Sequence, residues 1–234
     1  MYPAAMPAPY RLHYAPDNAS LPVRLALEEL GAPYETVLVD RGKQEQRTPA
    51  YLRLNPAGLI PVLETPDGPV FETAAILLWL ADRHGALAPR PGDAMRGAFL
   101  KWLVFTSNTL HAGLRMRFHP DRYVGGTATA QAALRNQMAG EHARHLALLD
   151  RNADEWDQGL TMLHLYLGPI LRWCALYPEG DTDWFRLGDH PRLARLCDTL
   201  ETRAGTRAAA LAEGLGPQPF TAPAPARPPE GSAT

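Results

Sequence analysis

The sequence predicts an α/β domain of four short strands and three helices, followed by an all-helical domain. Three observations carry that prediction. Residues 10–39 run strand, helix, strand within about thirty residues, the length of one β-α-β unit. Residues 55–85 pack a loop, a turn between two short extended runs, and an apolar helical pattern into one stretch. After Pro89 and Pro91, every periodic segment has helical spacing.

Residues 1–9 hold three prolines and little to bury, and are expected to be a loose end. Residues 10–15 alternate and carry aromatics, which suits a strand. Residues 16–19 are loop. Ser20 stands where an N-cap belongs, Pro22 falls in the first helical turn, and Gly31 supplies the stop. Leu21, Leu25, Leu27 and Leu30 form the apolar stripe between them. Residues 34–39 are the second strand, and a helical crossover makes it parallel to the first. Residues 41–47 are a polar connection, followed by a short helical turn at 49–54. Ile60 to Glu64 is β-prone and interrupted by Pro61. Thr65-Pro66-Asp67-Gly68 is a turn sequence, and Val70-Phe71 resumes the strand. Thr73 suits an N-cap, and Ile76, Leu77 and Leu80 give the next helix its apolar face. The α/β domain therefore covers 10–85, with a linker at 86–92.

Residues 93–118 predict one long amphipathic helix carrying Phe99, Trp102, Leu103, Phe105, Leu110, Leu114 and Phe118. Residues 127–150 predict a second helix. Residues 161–177 predict a third, the most apolar and hence the centre of the helical domain. Residues 191–203 predict a fourth and 208–213 a last turn, closing a helical domain at 93–213. A tail at 214–234 holds six prolines in 21 residues; its final part is expected to be disordered or polyproline-like, with Phe220 able to dock before it.

Apolar residues make up 46% and charged residues 21%, the mix of a soluble globular protein. A net charge of −2 offers no electrostatic case for nucleic acid or an anionic membrane surface. No apolar run approaches the ~18 residues that span a bilayer. The N-terminus lacks the basic and apolar regions of a secretory signal. Cys174 and Cys197 have no CxxC spacing, which suits a reducing, cytoplasmic setting. His142 and His145 lie three apart on a helix, but no carboxylate motif joins them, so no metal site is expected. Cys174 reads as a small core residue.

Pro61 cannot donate to a sheet ladder, so it belongs at a strand start or bend and is a candidate cis position. Such a bend leaves the Ile60 main chain free to pair with an extended ligand. A helix start at Thr73 would hold a ligand carboxylate, and Glu72 would hold an ammonium. A strand edge, an anion site and an acid in a row describe a small zwitterionic peptide.

This stretch resembles the glutathione-binding half of the thioredoxin-like domain in glutathione S-transferases. The resemblance implies an α/β thioredoxin-like N-terminal domain plus an all-α C-terminal domain. It implies that Ile60, ahead of a cis Pro61, pairs with the cysteinyl main chain of glutathione, and that Glu72 and Thr73 bind its γ-glutamyl end. Glutathione is then a co-substrate, and no metal is involved. A small apolar electrophile is expected in a second pocket lined by Thr109, Leu110, Leu114 and Phe118. A homodimer is expected, with residues 71–79 near the interface. Residues 102–111 are similar to the matching helix of beta-class bacterial transferases, which carry a histidine at the place of His111, near the thiol. Those enzymes also carry a cysteine in the first loop, where this chain has Ala19. Thr161 is followed three residues later by His164, where the family usually has the aspartate of a capping box.

The chemistry requires a thiolate at neutral pH. A free thiol has a pKa of about 8.5, and each unit of lowering takes about 1.4 kcal/mol. A hydrogen bond to a charged group contributes roughly 1.5–3 kcal/mol, and a helix start about 0.3–1. One hydroxyl at a helix start can therefore supply most of a two-unit shift, and Ser20 is the residue so placed. Its other reading is a plain N-cap. Tyr14 could reach the sulfur from the strand end or be a core aromatic. Asn18 could donate an amide hydrogen or form an Asx-type turn. His111 could polarise a water or the thiolate, or bond to backbone. The expected activity is attack of the thiolate on an electrophile. The alternatives are glutathione-dependent disulfide reduction, dehalogenation or isomerisation at the same site, or a non-catalytic binding protein.

Overall fold

The computed structural model describes residues 10–229. The N-terminal domain is thioredoxin-like: β1 (Tyr10–Tyr14), α1 (Leu21–Leu30), β2 (Tyr34–Leu38), α2 (Pro49–Leu52), β3 (Val62–Thr65), β4 (Gly68–Phe71) and α3 (Thr73–His84). The sheet order is β2-β1-β3-β4. The helical crossover makes β1 and β2 parallel, with Tyr10 opposite Tyr34. β3 runs antiparallel to both β1 and β4. Its hairpin is closed by Thr65, whose hydroxyl donates to the Gly68 carbonyl (2.7 Å) and accepts from the Asp67 N–H (3.1 Å). Strand alternation sends Leu12 and Tyr14 into the core shared with α1 and α3. His13 points to the other face, edge-on to Tyr51 at 5.7 Å.

The C-terminal domain is helical: α4 (Arg96–Phe105), a π-helical turn (Thr106–His111), α5 (Ala112–Phe118), α6 (Asp121–Val124), α7 (Ala128–Arg151), α8 (Met162–Leu176), α9 (Pro191–Glu201) and α10 (Ala204–Glu213). α8 is the centre, buried from Met162 through Cys174. Its start uses the substitution at His164: Nδ1 accepts from the Thr161 N–H at 3.2 Å, and Nε2 faces Asp157 Oδ1 at 3.1 Å. The imidazole thus replaces the carboxylate of a capping box, with its proton on Nε2. Among the described residues, no helix is long and apolar enough to cross a membrane.

Three local readings are corrected. The helix expected over 93–118 is interrupted by the π turn. Gly113 admits the His142 ring, which a Cβ would meet at 2.8 Å, and His142 Nε2 lies 3.1 Å from the Leu110 carbonyl. A partner inserted into the helix ladder disturbs it without changing the hydrophobic period. The last turn expected at 208–213 is a ten-residue helix, because Gly205 lets α10 close onto Glu29 of α1. Finally, neither expected cap residue caps with its side chain. The Ser20 hydroxyl donates to the Ala15 carbonyl (3.0 Å), and Thr73 is the first helical residue, with Glu72 at the N-cap.

The chain after α10 folds back. Phe220 and Leu215 are buried, the Glu201 carboxylate accepts the N–H groups of Phe220 and Thr221 at 2.8 Å each, and Arg227 N–H donates to the Gly214 carbonyl. The loose end expected at residues 1–9 lies outside the described residues, as do residues 230–234 of the tail.

Candidate functional site

The site forms at one end of the sheet. The β1–β3 register pairs His13 with Val62, and the β3–β4 register pairs Val62 with Phe71. Continued by one step, it brings Tyr14, Pro61 and Glu72 to the same edge. The Ile60–Pro61 peptide is cis, and Ile60 lies outside the ladder, which begins at Val62. Its approach is fixed by Tyr51 Oη and Asn55 Nδ2, which both donate to the Leu59 carbonyl (2.9 and 2.8 Å). Glu72 is exposed and holds φ 71°, ψ 116°, a conformation unusual for a side-chain-bearing residue and most often met at functional sites. The buried Thr73 hydroxyl donates to the Ala19 carbonyl at 3.0 Å. That one bond ties the start of α3 to the loop before α1.

The residues considered for thiol activation lie around that loop with different freedom. Ser20 is fully buried, its hydroxyl engaged by Ala15. Tyr14 is buried beneath Arg24, whose guanidinium stands 4.6 Å from its ring centroid. Asn18 is half-buried, and its Oδ1 accepts from the Ala19 N–H (2.8 Å), an Asx-type contact. Asp17, which nothing in the sequence singles out, anchors the loop. Its carboxylate accepts from Arg172 Nε (2.9 Å) and Nη2 (3.0 Å), Trp173 Nε1 (3.0 Å) and Tyr177 Oη (2.7 Å). Its N–H donates to Glu213, which also pairs with Arg24. Burial pushes the Glu213 carboxyl up to about 7, against the pull of Arg24 and the Asp17 amide.

From the helical domain, the π turn presents His111. Its Nδ1 lies 2.7 Å from the Tyr166 hydroxyl of α8, and its ring tilts over Trp173 at 5.3 Å. Burial, then the charge of Arg115, pushes His111 down to about 4, so the ring is neutral at physiological pH. Burial holds the Tyr166 phenol well above its usual range, with Ser107 and Thr73 hydroxyls facing the same oxygen. The bond at 2.7 Å is the one His111 makes, and we assign the phenol proton to Nδ1 there, which leaves Nε2 as an N–H donor. Tyr166 was not legible as a site residue; its one signal is a phenol inside the most apolar helix.

The expected second-pocket residues divide. Leu110 and Leu114 have no exposed surface and belong to the core, which excludes them as walls of an open pocket in this conformation. Thr109 and Phe118 are half-buried, and Phe118 meets Tyr177 edge-on at 6.2 Å. His142 is engaged by main-chain carbonyls of Met138 (2.6 Å) and Leu110. Among the described residues, no group of three or more His, Cys, Asp or Glu could hold a metal ion.

Seven of the eight histidines have lowered pKa values, with burial the first cause in each: His84, His111, His119, His142, His145, His164 and His190. As pH falls below the ordinary value of about 6.5, the unfolded chain takes up protons that the fold resists. Their contribution is present above about 6.5 and is lost toward the lower folded values. Glu213 acts with the opposite sign, losing its contribution as pH rises toward 7. His111, held down to about 4, opposes Glu213, held up to about 7, and the six other imidazoles are displaced in the same direction as His111. The thermal unfolding midpoint is expected to be lower at pH 5 than at pH 7; equal midpoints would overturn this assignment.

Residues 19–83 match the family model for the N-terminal domain of glutathione S-transferases. Glutathione S-transferase GstA of Escherichia coli O157:H7 is 31% identical over 170 residues, 70% of this chain and 81% of that protein. The chain belongs to the glutathione S-transferase family. A sphingomonad glutathione S-transferase solved in complex with glutathione is 30% identical, with a TM-score of 0.72 over 88% of this chain and all of that one. A glutathione transferase from Burkholderia graminis, with two glutathione molecules bound per subunit, is 26% identical, with a TM-score of 0.75 over 88% of this chain and 89% of that one. Both share with this transferase the two-domain architecture described above.

Proposed function

We propose that this transferase binds glutathione at the sheet edge and activates its thiol for attack on a small electrophile. The observation that carries the reading is the Thr73–Ala19 hydrogen bond, which ties the start of α3, next to Glu72, to the loop before α1. Ile60 pairs with the cysteinyl main chain, and Glu72 and Thr73 hold the γ-glutamyl end. Ser20 stabilises the thiolate from the helix start. Its hydroxyl must turn from Ala15 to do so, whereas its main-chain N–H needs no such movement. His111, neutral and donating through Nε2, completes the thiol end from the other domain. The glutathione bound by the sphingomonad relative supports this reading.

Calorimetry with glutathione, with thiolate absorbance followed against pH, tests it on the native chain and on Ser20→Ala. The native chain is expected to bind and to lower the thiol pKa from about 8.5 by about two units. Ser20→Ala is expected to bind and to keep only part of that lowering. Absence of binding by the native chain would refute the reading.

Disulfide reduction is the second reading. The Burkholderia graminis relative holds two glutathiones, which can exchange with a disulfide without a protein cysteine at Ala19. Turnover of hydroxyethyl disulfide but not of an aryl chloride would favour it. We also propose a homodimer through the exposed Phe71 and Ala75 and the half-buried Trp79. Elution at monomer size in gel filtration would count against it. Two buried free cysteines support a reducing, cytoplasmic setting.

A further inference from the structure

We propose that the cationic cluster of Arg41, Arg115, His119 and Arg122, outward of His111, is an anion site, and that it takes a carboxylate on the electrophile. This rests on the glutathione reading above and replaces the apolar electrophile with a charged one. Arg115 of α5, His119 and Arg122 of α6 follow one another at intervals of four and three residues. Main-chain bonds join the three: His119 N–H to the Arg115 carbonyl (3.0 Å) and Arg122 N–H to the His119 carbonyl (3.1 Å). Arg115 Nη1 reaches across to Tyr123 Oη on α6 at 3.0 Å. Arg41 comes from the other domain, in the connection after β2, and lies within electrostatic reach of Arg122 and His119. Arg115 follows His111 by four residues, across the junction of the π turn and α5, so the cationic row runs from the proposed thiol end outward.

The charges are not compensated. Among the described residues, no carboxylate lies within ion-pair distance of Arg41, Arg115 or Arg122. Asp40, beside Arg41, pairs with Lys43. Asp121 is the one acid acting on His119, against three guanidiniums. Arg41 is half-buried and faces a like charge. Desolvating a guanidinium opposite another is unfavourable, and a bound carboxylate removes both penalties with charge-assisted hydrogen bonds. The two leucines that would have made this wall apolar are in the core.

A matched pair of conjugates tests the site without turnover. S-benzylglutathione and S-(4-carboxybenzyl)glutathione differ only by the carboxylate, and calorimetry gives the ratio of their affinities. In the native chain the carboxylated conjugate is expected to bind about tenfold more tightly. The ratio should approach one in Arg122→Gln and in Arg41→Gln, and should fall with added salt in the native chain. Arg122 is exposed, so its variant is expected to fold. Equal affinities in the native chain would overturn the anion site while leaving the glutathione reading intact. Equal weakening of both conjugates by the substitutions would assign the arginines to glutathione's own carboxylates and also overturn it. If neither conjugate binds the native chain, the glutathione reading fails and takes the anion site with it. Titration with glutathione alone separates the sources of the carboxylate. One molecule per chain leaves an electrophile as the occupant, whereas a second that is lost in Arg122→Gln identifies the occupant as another glutathione and overturns the electrophile.

Discussion

Asp17→Ala is expected to destabilise the fold by about 3–5 kcal/mol, the cost of leaving a buried partner charge uncompensated. Asp17 and Arg172 are both fully buried, and the carboxylate accepts four hydrogen bonds. Without it, Arg172 retains only the carbonyls of Pro219 and Ala224. Trp173 Nε1 and Tyr177 Oη lose their acceptor as well. Set against a total stability of about 5–15 kcal/mol for a typical domain, this loss is large. Asp17 also has φ 49°, which alanine tolerates poorly and asparagine tolerates well. Asp17→Asn therefore isolates the charge from the backbone and should cost less than alanine. The exposed Arg11–Glu64 pair is the control, and Arg11→Ala should stay within about 1 kcal/mol. Urea unfolding midpoints would rank the three. If Asp17→Ala were as mild as Arg11→Ala, the network would not hold the loop. Because that loop carries Asn18, Ala19 and Ser20, glutathione affinity should fall with Asp17→Ala.

His111→Ala is expected to lower kcat/KM for conjugation of glutathione to an aryl chloride about 100-fold, the usual effect of removing one preorganised donor from a developing charge. The sign of its pH behaviour is fixed by burial. With its pKa pushed down to about 4, His111 stays neutral from pH 5 upward, so it contributes no limb to the native profile there. The rise of rate with pH then reports the thiol alone. Tyr166→Phe removes the group that fixes the proton on Nε2 and is expected to cost about tenfold, as loss of a supporting partner does. Tyr166 acts through His111 and is a positioning residue. The readout particular to that role is the double variant: in a His111→Ala background, Tyr166→Phe should cost little more. Multiplicative losses would show that the two act separately. A new acidic limb in the His111 profile of the native enzyme would refute the neutral assignment.

The sequence by itself determined the architecture, because both domains advertise themselves through period. β-α-β spacing, a Pro-Asp-Gly turn and a capped helix lie within short windows, and short windows are where hydrophobic alternation and turn chemistry act. The order Ile60-Pro61 followed by Glu72-Thr73 was legible for the same reason. What the tertiary structure decided are contacts between residues far apart in the chain. Asp17 looked like loop filler until Arg172 was found 155 residues away. Tyr166 looked like core until His111 met it across 55 residues. The His142 ring beside Gly113 breaks a helix whose own periodicity continues unbroken. Leu110 and Leu114 fit a pocket wall by position, but a helix has two sides, and only packing shows which one is turned to the core. Ser20 and Thr73 have the chemistry of caps, yet packing turns each hydroxyl to donate to a distant carbonyl, of Ala15 and Ala19, and neither oxygen takes a helix-start N–H.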